Sequence, residues 1–169
     1  MSGRDFQRSA VYSAETVFGS MLSEATDRGA TTVIAGTSLT LPKAARFASI
    51  PSMQDYVDRV LSRPSVIAQF GPVRPVRVRV RNGGPQTAHY EPHTQVIAVP
   101  DPAHSGVAAE SVLLHELAHH FAVTGSAHGP EFTATLLWLL GDVMGPEAAF
   151  VLRVLYGDSG VQVGSPAQV

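Results

Sequence analysis

The chain has 169 residues, of which 44% are hydrophobic and 15% are charged. A chain of this length can bury one hydrophobic core, and the composition is that of a folded globular protein rather than a disordered one. The formal net charge of −2 gives no overall attraction to nucleic acids or anionic membranes. We therefore predict a single domain over residues 1–156, followed over 157–169 by a flexible tail of mostly small residues.

Cysteine is absent from the sequence. This absence excludes disulfides, thiolate metal ligands and cysteine nucleophiles, so histidine, aspartate and glutamate remain for binding a transition metal. The polar residues from Met1 to Arg8 do not resemble a signal peptide, and the most apolar stretch, 136–140, is much shorter than a membrane span. We expect a cytoplasmic protein without a membrane partner, and the sequence does not indicate its oligomeric state.

The first third of the chain alternates helical and extended patterns. Apolar residues at helical spacing predict a helix from about 9 to 28 that ends at Gly29. A β-branched run predicts a short strand over 31–35, and turn-forming residues over 37–42 predict an irregular link. Helical spacing returns over 51–63 and predicts a second helix.

The middle of the chain predicts a small sheet. Valines alternate with arginines over 73–81, so that strand has one apolar and one basic face. The Asn82-Gly83-Gly84 run is a hairpin turn signal, and extended segments follow over 87–90 and 94–99. These segments predict a small antiparallel or mixed sheet.

Helical patterns dominate the last part of the chain, over 107–123, 130–140 and 146–156. Leu114, Leu117 and Phe121 give the first of these helices an apolar stripe, and Pro130 stands in the first turn of the second. The predicted fold class is α+β, with a small sheet packed on the 107–123 helix and further helices on both sides in sequence.

The helix over 107–123 carries His115, Glu116 and His119. Two histidines four residues apart lie on one face of a helix and can bind the same zinc ion. Glu116 is rotated away from the first ligand, so its carboxylate can take a proton from a zinc-bound water. This pattern is typical of metal-assisted hydrolysis, with one zinc per chain.

His128 is the main candidate for the third metal ligand. It stands just before the helix over 130–140, after a turn that can bring the chain back toward the first two histidines. Glu131 is the competing ligand. Whichever of the two does not bind the metal is expected to orient a ligating imidazole by hydrogen bonding.

The runs His115-Glu116-Leu117-Ala118-His119-His120 and His128-Gly129-Pro130-Glu131-Phe132 resemble the small SprT-like and minigluzincin zincins. Across nearly the whole chain, with the 4–8, 88–92 and 145–148 runs, the sequence resembles an actinobacterial family of metallohydrolases. The resemblance implies a zincin-like single domain with His115, His119 and His128 as metal ligands and Glu116 as base. The metzincin pattern does not fit, because Gly125 stands where its third histidine would fall.

The remaining histidines and two tyrosines have weaker functional signals. His120 lies about 100° around the helix from His119 and is expected at the surface or beside a ligand. His89, His93 and His104 are back-up ligands only. Tyr90 and Tyr156 could stabilise an oxyanion, although packing is the simpler role for each.

We therefore expect a zinc-dependent hydrolase, specifically a metallopeptidase, that attacks a peptide or other amide carbonyl with the help of Glu116. The alternative is a non-catalytic, metal-stabilised binding module that contacts nucleic acid through Arg77, Arg79 and Arg81. No aromatic residues interleave with these arginines to form a stacking surface, which weighs against the alternative.

Overall fold

The computed structural model of the protein describes residues 5–29, 31–84, 86–106 and 108–168. The described elements, in chain order, are α1 (Arg8–Arg28), β1 (Thr31–Ile34), β2 (Thr37–Thr40), β3 (Arg46–Phe47), α2 (Ile50–Leu61), α3 (Pro64–Phe70), β4 (Arg77–Val80), β5 (His89–Glu91), β6 (Val96–Val99), α4 (Pro102–Ser105), β7 (Ala108–Ala109), α5 (Glu110–Phe121), α6 (Pro130–Val143) and α7 (Pro146–Asp158). This mixture of helices and small sheets confirms the predicted α+β class. Within the described ranges, no helix combines the length and apolar character needed to cross a membrane.

The chain forms two compact units. The first, unit 1, contains the described residues up to Ala44 together with Ala122–Ala167, and the second, unit 2, contains the described residues of Ala45–Phe121 and Gln168. Unit 1 therefore combines α1, β1 and β2 with α6 and α7, whereas unit 2 contains the other elements. The single domain over 1–156 stays a prediction.

Helix α1 supplies much of the core of unit 1. Its buried residues recur every three or four positions, as expected for a helix with one apolar face: Val11, Ala14, Phe18, Leu22 and Ala25. This face packs on α7, which packs in turn on α6. As predicted, α1 ends at Gly29, whose left-handed backbone (φ 65°) lets its N–H bond to the Ala25 carbonyl at 2.8 Å.

The predicted irregular link over 37–42 is wrong in its first part, because β2 pairs with β1 in an antiparallel hairpin. The turn between them uses Ala35 (φ 48°) and Gly36 (φ 77°). Two consecutive residues with positive φ make the turn type that matches the twist of a hairpin. Alanine rarely adopts this conformation, so this turn was difficult to predict from the residue types.

The predicted flexible tail also needs correction, because much of it packs on unit 1. Helix α7 continues to Asp158, and Val161 and Ala167 beyond it are buried. The Ala167 N–H donates to the Thr135 hydroxyl at 2.9 Å, and the Gly164 N–H donates to the Pro130 carbonyl at 2.9 Å. Hydrogen bonding to α6 thus orders a segment that has no helical or strand periodicity. Val169 lies outside the described residues.

The sheet of unit 2 is mixed and has the order β4-β6-β5. Strand β6, buried at all four residues, lies in the centre, parallel to β4 and antiparallel to β5. The predicted hairpin at Asn82-Gly83-Gly84 is therefore wrong, since β4 and β5 are not neighbours. A strand as uniformly apolar as β6 buries most of its surface when it lies between two other strands. Strand β5 therefore forms the edge of the sheet opposite β4.

The outer edge of β4 is covered by a side chain of α2. The Gln54 amide nitrogen donates to the Val76 carbonyl at 2.9 Å, and its oxygen accepts from the Val78 N–H at 2.7 Å. The alternate N–H groups of this segment point the other way, toward β6, as the Arg77 and Arg81 bonds to Gln95 and Val99 demonstrate.

Helix α5 packs against α2, β5 and β7. Its buried apolar residues are Leu113, Leu114, Leu117 and Ala118, in agreement with the predicted stripe. The predicted start at Val107 lies outside the described residues, and Ala108–Ala109 form β7 and pair with β3 rather than continuing the helix.

Candidate metal centre

His115 and His119 lie one turn apart on α5 and turn the same ring nitrogen toward each other. Their Nε2 atoms are 3.2 Å apart, and the two rings are inclined by 74°. Two nitrogens bound to one tetrahedral zinc, each at about 2.0–2.1 Å, would be about 3.3 Å apart. The pair therefore has the spacing that a shared metal ion requires.

Glu116 follows the first of these histidines and has only 5% of its surface exposed. Glutamate is rarely this buried unless it has a specific partner or task. The apolar side chains on the same helix fix α5 against the sheet, so the backbone that carries His115 and Glu116 is held by the core of unit 2. A buried carboxylate beside a histidine pair is suited to proton transfer.

The first turn of α5 is anchored by Glu110. Its carboxylate accepts from the Tyr56 hydroxyl at 2.7 Å and from the Ala45 N–H at 2.7 Å. The Glu110 N–H donates in return to the Ala45 carbonyl at 3.0 Å. These contacts fix the start of the helix five residues before His115, and the sequence analysis did not single them out.

His128 lies in unit 1, immediately before α6. The preceding turn is tight, since the Gly129 N–H donates to the Ser126 carbonyl at 2.9 Å, and a β-carbon at Gly129 would lie 2.7 Å from the Ser126 hydroxyl oxygen. The β-carbon would also lie 3.1 Å from the Ser126 carbonyl oxygen, so a larger residue at this position would require the turn to shift. The turn therefore fixes the backbone direction at His128.

The imidazole of His128 is held on several sides. Its Nδ1 is 2.7 Å from Oδ2 of Asp5, and its ring packs on those of Tyr12 and Phe132 at centroid distances of 4.9 and 5.0 Å. The side chain is only 6% exposed. Burial, ring packing and the hydrogen bond leave this imidazole little freedom to turn.

The residues that could hold a metal ion are His115 and His119 of unit 2 and His128 of unit 1. The donors are three neutral nitrogen ligands with no thiolate, a set that suits zinc and other late first-row divalent cations. Three protein ligands also leave a coordination position for water or substrate, as in catalytic zinc sites. The residues present therefore fit a catalytic metal site, with an open coordination position, better than a structural site whose positions are all filled by protein ligands.

Glu131, the competing third ligand, has other partners in the structure. Its Oε2 accepts from the Thr124 N–H at 2.9 Å, and also from the Thr124 hydroxyl. Asp5, and not Glu131, contacts the His128 imidazole. Glu131 closes the loop between α5 and α6, and the negative charge in the first turn of α6 is also favourable to that helix.

His120 pairs with Tyr90 rather than with the other histidines. The Tyr90 hydroxyl is 2.8 Å from His120 Nδ1, and the two rings meet edge to face. Burial, with a smaller contribution from the positive charge of Arg74, lowers the pKa of His120 to about 4, so the ring is neutral at physiological pH. Burial also raises the pKa of Tyr90. The neutral ring can accept the hydroxyl hydrogen, which connects α5 to strand β5.

The other candidate ligands lie outside the three-histidine group. His89 and His104 are exposed beside Glu91 and Asp101, at 4.0 and 3.0 Å, and His93 is exposed. Tyr156 is buried, and its hydroxyl donates to Glu15 at 2.7 Å. This burial and hydrogen bond agree with a packing role for Tyr156 in unit 1.

The basic face of β4 is partly occupied by contacts within unit 2. Arg79 forms an ion pair with Glu91, and Arg81 donates to the Thr87 carbonyl at 2.9 Å. Arg77 is exposed. The alternation of valine and arginine did not predict these contacts, which engage two of the three arginines that the alternative function assigns to nucleic-acid contact.

The chain matches no known protein-family model, no curated protein and no solved structure. Its functional assignment therefore depends on the geometry of its own residues.

Proposed function

We propose that this protein is a zinc-dependent hydrolase that cleaves peptide bonds or related amides. His115, His119 and His128 are its metal ligands, and Glu116 is its general base. The observation that carries the proposal is the 3.2 Å separation of the His115 and His119 Nε2 atoms beside a buried glutamate. A resemblance to zincins was already evident in the sequence motif.

Zinc in this site would act as a Lewis acid that polarises a carbonyl and makes a water molecule more acidic. The residues of the chain would bind the metal and transfer the proton. His115, His119 and His128 would fix the position of the cation, and helix α5, anchored at its start by Glu110, holds the first two of them one turn apart.

Glu116 is the residue that moves the proton. As a carboxylate next to a metal ligand, it accepts a proton from the attacking water and then donates it to the nitrogen of the departing amine. The oxygen of the water forms the new bond to the carbonyl carbon, and the carbon–nitrogen bond breaks. The burial of Glu116 keeps bulk water from competing for this proton.

Hydrolysis of a broad library of unstructured peptides by the zinc-loaded protein, followed by mass spectrometry, tests this function. We expect cleavage that depends on metal. Glu116→Gln should retain bound zinc and lose about 10²- to 10⁴-fold in rate, the usual contribution of a general base. Glu147→Gln, the same change at an exposed position on α7, is the matched control and should cleave like the wild type.

Two results would contradict the proposal. One is a fully zinc-loaded wild-type protein that cleaves no peptide or amide. The other is Glu116→Gln cleaving at the wild-type rate with zinc bound, because the base would then be a different group.

A further inference from the structure

The carboxylate of Asp5 is in close polar contact with the imidazole of His128, the proposed third ligand. Their 2.7 Å separation joins Oδ2 to Nδ1, although the two residues are 123 positions apart in the chain. A carboxylate accepts hydrogen bonds, so Nδ1 carries the hydrogen in this pair. In a neutral ring the remaining nitrogen, Nε2, then carries a lone pair and no hydrogen, which is the form in which an imidazole nitrogen binds a cation.

The surroundings of Asp5 indicate that this contact is its main task. The side chain is only 22% exposed, and within the described part of the chain its second oxygen, Oδ1, is buried without a hydrogen-bond partner. A carboxylate buried with so few partners is costly unless positive charge lies nearby. A cation bound through His128 would supply that charge.

Gln7 fixes the segment that carries Asp5. Its amide nitrogen donates to the His128 carbonyl at 2.8 Å and to the Gln162 carbonyl at 3.1 Å, and its oxygen accepts from the Gln162 N–H at 3.0 Å. The segment is thereby tied to the backbone of the residue whose ring Asp5 contacts. Asp5 is in this way held at a fixed distance from the imidazole.

We propose that Asp5 is a positioning residue for the metal centre: it fixes the tautomer and orientation of His128 and raises the affinity of that imidazole for zinc. The inference rests on the proposed function, because it requires His128 to be a ligand. Carboxylates that hydrogen-bond a ligating histidine commonly contribute about 10- to 100-fold in metal affinity.

The test is the zinc affinity of purified variants, measured by competition with a chromogenic chelator at one fixed pH. We expect Asp5→Ala to bind zinc about 10- to 100-fold more weakly than wild type, and Asp5→Asn to lie in between, because its amide oxygen can still accept from Nδ1. His128→Ala should be weaker than either. Glu15→Gln changes another partly buried, hydrogen-bonded carboxylate of unit 1 and should leave zinc affinity unchanged.

A second readout separates positioning from general loss of structure. The visible absorption of the Co²⁺-loaded protein depends on the ligands around the ion, so at saturating Co²⁺ the spectrum should change in Asp5→Ala and remain unchanged in Glu15→Gln. The melting temperature of each metal-free variant shows whether it is folded. If Asp5→Ala does not fold, the zinc affinity of Asp5→Asn relative to that of wild type tests the role of Asp5.

The possible failures are distinguishable. Wild-type zinc affinity in folded Asp5→Ala, or in Asp5→Asn where the alanine variant does not fold, would overturn the role of Asp5. His128→Ala would still bind zinc weakly in that case, and the proposed ligand set would stand. Wild-type affinity in His128→Ala would instead remove His128 as a ligand, and the proposed function would fail with it.

Discussion

The Tyr56 hydroxyl donates a 2.7 Å hydrogen bond to Oε1 of Glu110, the first residue of the helix that carries the histidine pair. Tyr56→Phe keeps the ring, which packs on Phe47 at 4.9 Å, and removes only the donor. A hydrogen bond to a carboxylate contributes about 1.5–3 kcal/mol. We expect the free energy of unfolding to fall by about this amount, measured by urea denaturation. A double-mutant cycle with Glu110→Gln should give a coupling energy well above zero, and independent effects would contradict the contact.

Stability should decline in alkaline solution because two tyrosine hydroxyls are buried. Burial and a neighbouring glutamate raise the pKa of both Tyr56 and Tyr156 above the ordinary value of 10.0. Above pH 10 the unfolded chain releases these protons while the folded chain keeps them, so the stabilisation is complete below this pH and is lost as the pH rises. Each group contributes a slope of up to about 1.4 kcal/mol per pH unit. Between about pH 9 and 11, the free energy of unfolding measured by urea denaturation should fall less steeply with pH in Tyr56→Phe than in wild type. Equal slopes would show that Tyr56 does not contribute to the loss of stability.

Removal of either helical histidine should abolish tight metal binding. His115→Ala and His119→Ala each leave two of the three nitrogens of the group, and the metal affinity of such a site falls steeply with ligand number. Metal analysis after dialysis should give one zinc per wild-type chain and almost none in either variant. His104→Ala, which removes an exposed histidine outside the group, should retain the ion. Unchanged stoichiometry in both helical variants would contradict the site.

Glu131→Gln should leave zinc binding unchanged and lower the stability of the loop between α5 and α6. Its carboxylate accepts two hydrogen bonds from Thr124, so the amide should lower stability by about 1 kcal/mol while zinc affinity stays near that of wild type. His128→Ala should instead cause a large loss of zinc affinity. Chelator competition and thermal melting of both variants measure these effects. The reverse order of zinc affinities would make Glu131 the ligand.

Local patterns predicted the helices that carry the site. The end of α1 at Gly29 and the apolar stripe of α5 both follow from 3.6-residue periodicity and a left-handed cap, which depend on neighbours in sequence. The spacing of His115 and His119 is local in the same way. Their nearness in space was therefore readable from the sequence once the helix was recognised.

The sequence did not predict contacts between distant parts of the chain, and it also did not predict the contact of Glu131 with Thr124, seven positions away. Asp5 lies 123 positions before His128, and a single aspartate near a helix has no periodic or motif signal. Glu131 looked like a ligand because it stands close to His128 in sequence, but it turns to the loop residue Thr124. The hairpin expected after β4 failed because the choice of strand neighbours depends on how buried β6 is, and turn residues alone do not determine it.

The side chain of Gln54, from α2, covers a strand edge through which two copies of this protein could otherwise pair. A strand edge with unsatisfied N–H and C=O groups can recruit the edge of a second molecule and begin aggregation. Gln54 already occupies the Val76 and Val78 groups that such a strand would use. Gln54 therefore blocks the pairing of a second strand along this part of β4.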